Sequence, residues 1–133
     1  MKDEPPQPAI LVVDDDRLLR RMVVETLRDD GLAAVGAEGA DEALALLRAR
    51  PGFALLVTDV NMPGVDGLRL LELAREASAG LKLMVVSGRP HLHAARTPAG
   101  TTFLAKPFTA RRIVADVRRA LGDGAGTADA AER

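Results

Sequence analysis

The chain has 133 residues, a formal net charge of -1 from 18 basic and 19 acidic side chains, three Phe, and no Cys, Trp or Tyr. That length fits one domain with a sizeable core, and the near balance of charge argues against a surface spread for direct nucleic-acid binding or for membrane attachment. The missing thiols exclude disulfides, thiolate metal sites and a cysteine nucleophile, no apolar run approaches the roughly 20 residues that span a bilayer, and the scarcity of aromatics leaves little for stacking on single-stranded bases.

Residues 1–8 (MKDEPPQP) are polar and proline-rich, unlike a signal peptide, and are expected to form a flexible leader. Ala9–Val13 (AILVV) is a continuous apolar run, as suits a strand covered on both faces. Asp16 is placed to cap the next helix, on which Leu18, Leu19, Met22, Val23 and Leu27 recur at helical spacing until Gly31 stops it. Residues 32–37 read as a weaker second strand. Ala40, Ala43, Leu44 and Leu47 mark a second helix that closes before Pro51. Residues 54–58 (ALLVT) form a third strand ending at Asp59, and residues 61–64 (NMPG) form a turn. Leu68, Leu71 and Ala74 mark a third helix closed near Gly80, followed by strands at 81–86 and 102–105. Thr109 caps a last helix carrying Ile113, Val114, Val117 and Leu121. Residues 122–133 (GDGAGTADAAER) bury too little apolar surface to offset their ordering entropy, so a disordered tail is expected there. The domain is then 9–121.

Strands alternating with helices imply an α/β fold: a doubly wound, five-stranded parallel sheet with helices on both faces. Right-handed crossovers leave few topologies, and the flavodoxin-like strand order 2-1-3-4-5 is a common one. Its switch point lies between strands 1 and 3, where ligands bind at the carboxyl ends. Asp14, Asp15 and Asp59 fall at those two strand ends. Three converging carboxylates repel one another unless a cation or proton offsets them. Mg²⁺ suits a site offering oxygen ligands only. Simple capping accounts for Asp16, but not for the other three together.

The segments VVDDD (12–16), VTDVNMPGVDG (57–67), VVSG (85–88) and AKPF (105–108) resemble, in order and spacing, the four active-site segments of response-regulator receiver domains. The resemblance implies a phosphorylation-activated switch in a two-component system, with Mg²⁺ as cofactor and Asp59 as phosphoacceptor. It implies that Asp15 and Asp59 bind the metal directly, Asp14 largely through water, and Asn61 through its backbone carbonyl. Ser87 and Lys106 would bind the phosphoryl group, Lys106 pairing with Asp59 beforehand. Ser87 and Phe103 occupy the switch positions, and the Lys106–Pro107 bond is usually cis in this family. The implied phosphodonor is a histidine kinase or histidine phosphotransfer protein. The implied chemistry is no enzyme activity beyond the chain's own phosphorylation and dephosphorylation. A cytoplasmic, stand-alone receiver is expected, acting on a downstream protein target as a monomer or a phosphorylation-dependent dimer.

Three other readings fit less well. A non-phosphorylated module of the same fold has no use for the acids and Lys106. A phosphoesterase built on an aspartyl nucleophile needs a substrate cap, and no insertion is large enough. An FMN phosphate would meet acids where a phosphate loop should stand. His91 and His93 read as loop residues, and the pairs Arg20-Arg21, Arg111-Arg112 and Arg118-Arg119 as solvated helix faces. Asn61 and Arg89 take two positions that tune phosphoryl lifetime in the family. The segment 88–100 (GRPHLHAARTPAG) is shorter and more broken than the usual fourth helix, so a short or irregular one is expected, with one or two turns at 92–96.

Overall fold

The computed structural model describes residues 9–60, 67–88 and 97–122. Within them the elements are β1 (Ala9–Val13), α1 (Arg17–Asp29), β2 (Ala33–Ala37), α2 (Ala40–Ala49), β3 (Phe53–Asp59), α3 (Gly67–Ala77), β4 (Lys82–Ser87), β5 (Thr102–Ala105) and α4 (Ala110–Leu121). All strand pairs are parallel and their order is β2-β1-β3-β4-β5. The doubly wound sheet expected from the sequence is therefore the one observed. The turns expected at 92–96, most of the tail and the leader lie outside the described residues.

The alternation of side chains along a strand divides the core into two layers. Leu11 and Val13 of β1 face α2 and α3, joining Leu44, Leu47, Leu70 and Leu71. Ile10 and Val12 face the other way, toward Val23 and Leu27 of α1 and Ile113 and Val117 of α4. Each fully buried leucine or isoleucine contributes roughly 1.5–3 kcal/mol relative to its exposed state. One irregularity interrupts the pattern. Ala9 pairs with Phe53 but Ile10 with Leu55, so the ladder slips by one residue at Ala54. Phe53 accordingly packs with α2 and α3, while Leu55, of the same parity, packs with α1 and α4.

Both expected helix caps are present. Asp16 accepts hydrogen bonds from the backbone N–H groups of Leu18 and Leu19, and Thr109 accepts one from Arg112. Gly31 takes φ +86, which lets the chain leave α1. The stripe expected on α1 is partly wrong. Val23, Val24 and Leu27 are buried, but Leu18 is 77% and Met22 40% exposed. Leu18 stands in the first turn of α1, and helical spacing alone does not bury it.

Candidate functional site

The acidic loop begins where β1 runs out. The Asp14 N–H still donates to the Ala37 carbonyl of β2 (3.2 Å), so Asp14 is held as an extension of the sheet. Its Oδ1 accepts from the Asp16 N–H (2.8 Å), and the Asp16 side chain in turn caps α1. Asp14 is therefore buried, whereas Asp15 is exposed at the mouth. From β3, Asp59 arrives on the same side and is 8% exposed. One carboxylate oxygen from each of Asp14, Asp15 and Asp59 lies within 4.8 Å of the others. A compact, all-oxygen donor set of this kind fits a hard divalent cation such as Mg²⁺, with room left for waters.

The cation facing these acids comes from far along the chain. Lys106 Nζ donates to Asp59 Oδ2 at 3.1 Å, across 47 positions of sequence. The Lys106 N–H also donates to the Ser87 carbonyl (2.9 Å), tying the end of β5 to the end of β4. Ser87 is buried one position beyond Val86, the residue that pairs with Asp59 in the sheet. The Lys106–Pro107 bond is cis. Phe103 is half-buried on β5 and packs against the α2–α3 layer. Phe108 is half-buried against the other layer. Asn61, Arg89, His91 and His93 lie outside the described residues.

Burial raises the pKa of Asp14 above the ordinary value of 3.8, and the charges of Asp59 and Asp15 push it further up. The Asp16 N–H and the Lys106 ammonium oppose that rise without cancelling it. A raised carboxyl binds its proton more tightly in the folded chain than in the unfolded one. Its contribution to stability is full below 3.8 and is lost as pH rises through the raised value. At neutral pH the metal-free fold thus carries the cost of an ionised Asp14. Asp14→Asn keeps an oxygen for the Asp16 N–H and removes that charge. We expect a higher Tm than wild type at pH 7 in chelator, with the difference shrinking as pH falls toward 4. Thermal melts followed by circular dichroism across pH check this. An advantage that grows toward low pH contradicts it.

Two kinds of residue escape sequence reading. Arg20 is no solvated arginine: its Nη1 donates to the Asp14 carbonyl at 2.7 Å. On α4, Arg112 and Arg119 both bond the buried Asp116 (3.0 Å each), and Arg118 reaches Asp30 at the end of α1. The spacing Arg112-Asp116-Arg119 was legible as i,i+4 and i,i+3 pairs. The Arg20 contact depends on how the loop folds back and leaves no local signal. Gly67 is the other omission. A Cβ there would lie 2.3 Å from the Asp59 carbonyl oxygen and 2.7 Å from Val60 Cα.

Residues 10–118 match the family model described as the response regulator receiver domain. The C4-dicarboxylate transport transcriptional regulatory protein DctD of Rhizobium meliloti is 37% identical over 117 residues, covering 85% of this chain and 25% of that protein. The response regulator protein FleR of Pseudomonas aeruginosa is also 37% identical, over 89% of this chain and 26% of its own length. The chain thus spans about a quarter of the length of these regulators. The response regulator receiver protein CpdR of Brucella abortus is 32% identical, with 84% of this chain and 95% of CpdR covered. Among solved structures, the receiver domain of the hybrid histidine kinase CckA superposes with a TM-score of 0.75 at 32% identity, covering 85% of this chain and 98% of that one. The Vibrio cholerae chemotaxis protein CheY4 gives 0.77 at 26% identity over 86% of this chain and 99% of its own.

Proposed function

The chain belongs to the response-regulator receiver family, and from that membership we propose that it is a phosphorylation-activated switch that accepts a phosphoryl group on Asp59. Receivers of this family are signalling switches served by histidine kinases or phosphotransfer proteins, and they bind Mg²⁺ at an acidic pocket. The observation that carries the assignment is the Lys106–Asp59 pair at 3.1 Å, set against an acid cluster within 4.8 Å. An ammonium group poised on one of three clustered carboxylates suits the arrival of a dianion.

In this reading Asp15 and Asp59 would hold Mg²⁺ directly, Asp14 would act largely through water, and Asn61 would offer its backbone carbonyl. The metal, when bound, supplies positive charge for the phosphoryl oxygens. An Asp59 carboxylate oxygen attacks phosphorus. The new O–P bond forms as the bond from phosphorus to the donor's imidazole nitrogen breaks, and that nitrogen keeps the electron pair. Positioning and charge neutralisation dominate such transfers, so no further base is required. Lys106 then turns to a phosphoryl oxygen and Ser87 donates its hydroxyl to another. Their inward pull shifts the ends of β4 and β5, and Phe103 repacks. Phosphorylation acts through this difference in contacts between two states.

Incubation with a small acyl phosphate tests the core of this proposal. With Mg²⁺ the intact mass should rise by one phosphoryl group per chain, and with chelator it should not. No gain under either condition contradicts it. We further propose a cytoplasmic receiver whose output passes through protein contacts, as a monomer or a phosphorylation-dependent dimer. Phosphotransfer profiling against the host's histidine kinases, with pull-downs of both phospho-forms, identifies donor and target. Identical partners for the two forms would contradict a switch.

A further inference from the structure

We infer that Arg20 is a positioning residue for the metal-binding loop, and that residue 36 is glycine so that Arg20 can reach it. The inference rests on the Mg²⁺ reading above and adds to it residues outside the acid cluster. The loop bearing Asp14 and Asp15 has to present two carboxylates toward Asp59 against their mutual repulsion. Its backbone is held at three points. The Asp14 N–H is bonded to Ala37 of β2, and the Asp16 N–H to Asp14 Oδ1. The third is the Asp14 carbonyl, which takes the Arg20 guanidinium at 2.7 Å, the shortest of the three bonds. The Arg20 backbone N–H makes the first i→i−4 bond of α1, to the Asp16 carbonyl (2.9 Å), so the guanidinium is projected from the turn that directly follows the loop.

Gly36 is an independent observation pointing to the same side chain. A Cβ built there would lie 3.2 Å from both Cγ and Cδ of Arg20, and 3.4 Å from a Val24 methyl. β2 thus leaves a gap at residue 36, and the arginine stem runs through it to the loop. A methyl group in that gap displaces the stem by a few tenths of an ångström and draws the guanidinium off the carbonyl. Groups outside the ligand set that orient metal ligands commonly govern affinity by about 10–100-fold.

Calorimetric titration of the metal-free protein with Mg²⁺ tests this, alongside thermal melts. Arg20→Ala should weaken Mg²⁺ binding by about tenfold. Arg20→Lys should recover part of the loss, since an ammonium can make the single bond but lacks the planar fork. Gly36→Ala should weaken binding by about threefold or more with Arg20 in place, yet change nothing in the Arg20→Ala background, because the displaced side chain is then gone. A merely structural role for Arg20 does not produce that cancellation or the lysine rescue. Should Arg20→Ala fail to fold, Gly36→Ala with Arg20 in place carries the test, since Arg20→Lys keeps the Cγ and Cδ that the new methyl meets: Mg²⁺ binding unchanged from wild type then overturns the inference. Binding by Arg20→Ala within about twofold of wild type, or an equal Gly36→Ala loss in both backgrounds, overturns the inference while leaving the Mg²⁺ site standing. A wild type that binds no Mg²⁺ overturns both.

Discussion

Asp59→Asn is expected to leave the fold intact and to abolish phosphoryl uptake completely. The substitution is nearly isosteric, and the amide oxygen can still accept from Lys106 Nζ, which stands 3.1 Å from Asp59 Oδ2. What disappears is the anionic oxygen. An amide does not attack phosphorus at a useful rate, whereas a carboxylate needs no activation beyond charge neutralisation on the group it attacks. The variant also loses one of the three charges in the cluster, so its Mg²⁺ affinity should fall. Its metal-free form should be no less stable than wild type, because the repulsion that Asp59 exerts on Asp14 is relieved. Intact-mass measurement after acyl phosphate treatment reads the loss of uptake, and thermal melts in chelator read the metal-free stability. A mass gain equal to that of wild type would place the phosphoryl group elsewhere.

Gly67→Ala is expected to destabilise the protein by about 2–3 kcal/mol, the upper part of the range for a forced insertion into a packed site. Gly67 opens α3, and its N–H donates to the Val60 carbonyl at 3.2 Å. A methyl group there meets the backbone of the Asp59–Val60 stretch: the Asp59 oxygen at 2.3 Å, Val60 Cα at 2.7 Å and the Asp59 carbonyl carbon at 3.1 Å. Backbone cannot rotate aside as a flexible side chain can. Either α3 lifts from the sheet or the end of β3 moves, and the second course carries Asp59 with it. Phosphoryl uptake should therefore drop by more than the loss of folded protein explains. Gly80→Ala is the control, since nothing lies within 4 Å of a Cβ at that position. Urea denaturation of both variants gives the difference directly. Equal stabilities would mean that the contact at Gly67 relaxes at no cost.

The fold was legible because β1, β3 and β4 announce themselves by composition, β2 less so. Ala9–Val13 is apolar at every position and short, as suits a strand covered on both faces, and the helices between strands keep a 3.6-residue stripe. The acids were legible as a site because Asp14, Asp15 and Asp59 stand at the carboxyl ends flanking the strand-order reversal. What escaped depends on distances between elements. Leu18 has the spacing of a core residue, yet it is exposed. Arg20 reads like its neighbour Arg21, which pairs with Glu25 in solvent. Only the register of α1 over β2 distinguishes them, and that register is a tertiary fact. Phe53 packs on the face opposite to the one strict alternation from Leu55 assigns, because of a slip that no residue in 53–55 signals. Gly67 sits within a recognised motif, but the reason for glycine lies in the approach of α3 to β3.

Locating the phosphoryl group tests the central claim most directly. The protein is loaded from an acyl phosphate with Mg²⁺, the acyl linkage is reduced with borohydride, and the peptides are sequenced by mass spectrometry. The account predicts homoserine at position 59 and none at 14 or 15, with no conversion when Mg²⁺ is withheld. Conversion at another carboxylate, or conversion at 59 that ignores Mg²⁺, would contradict it.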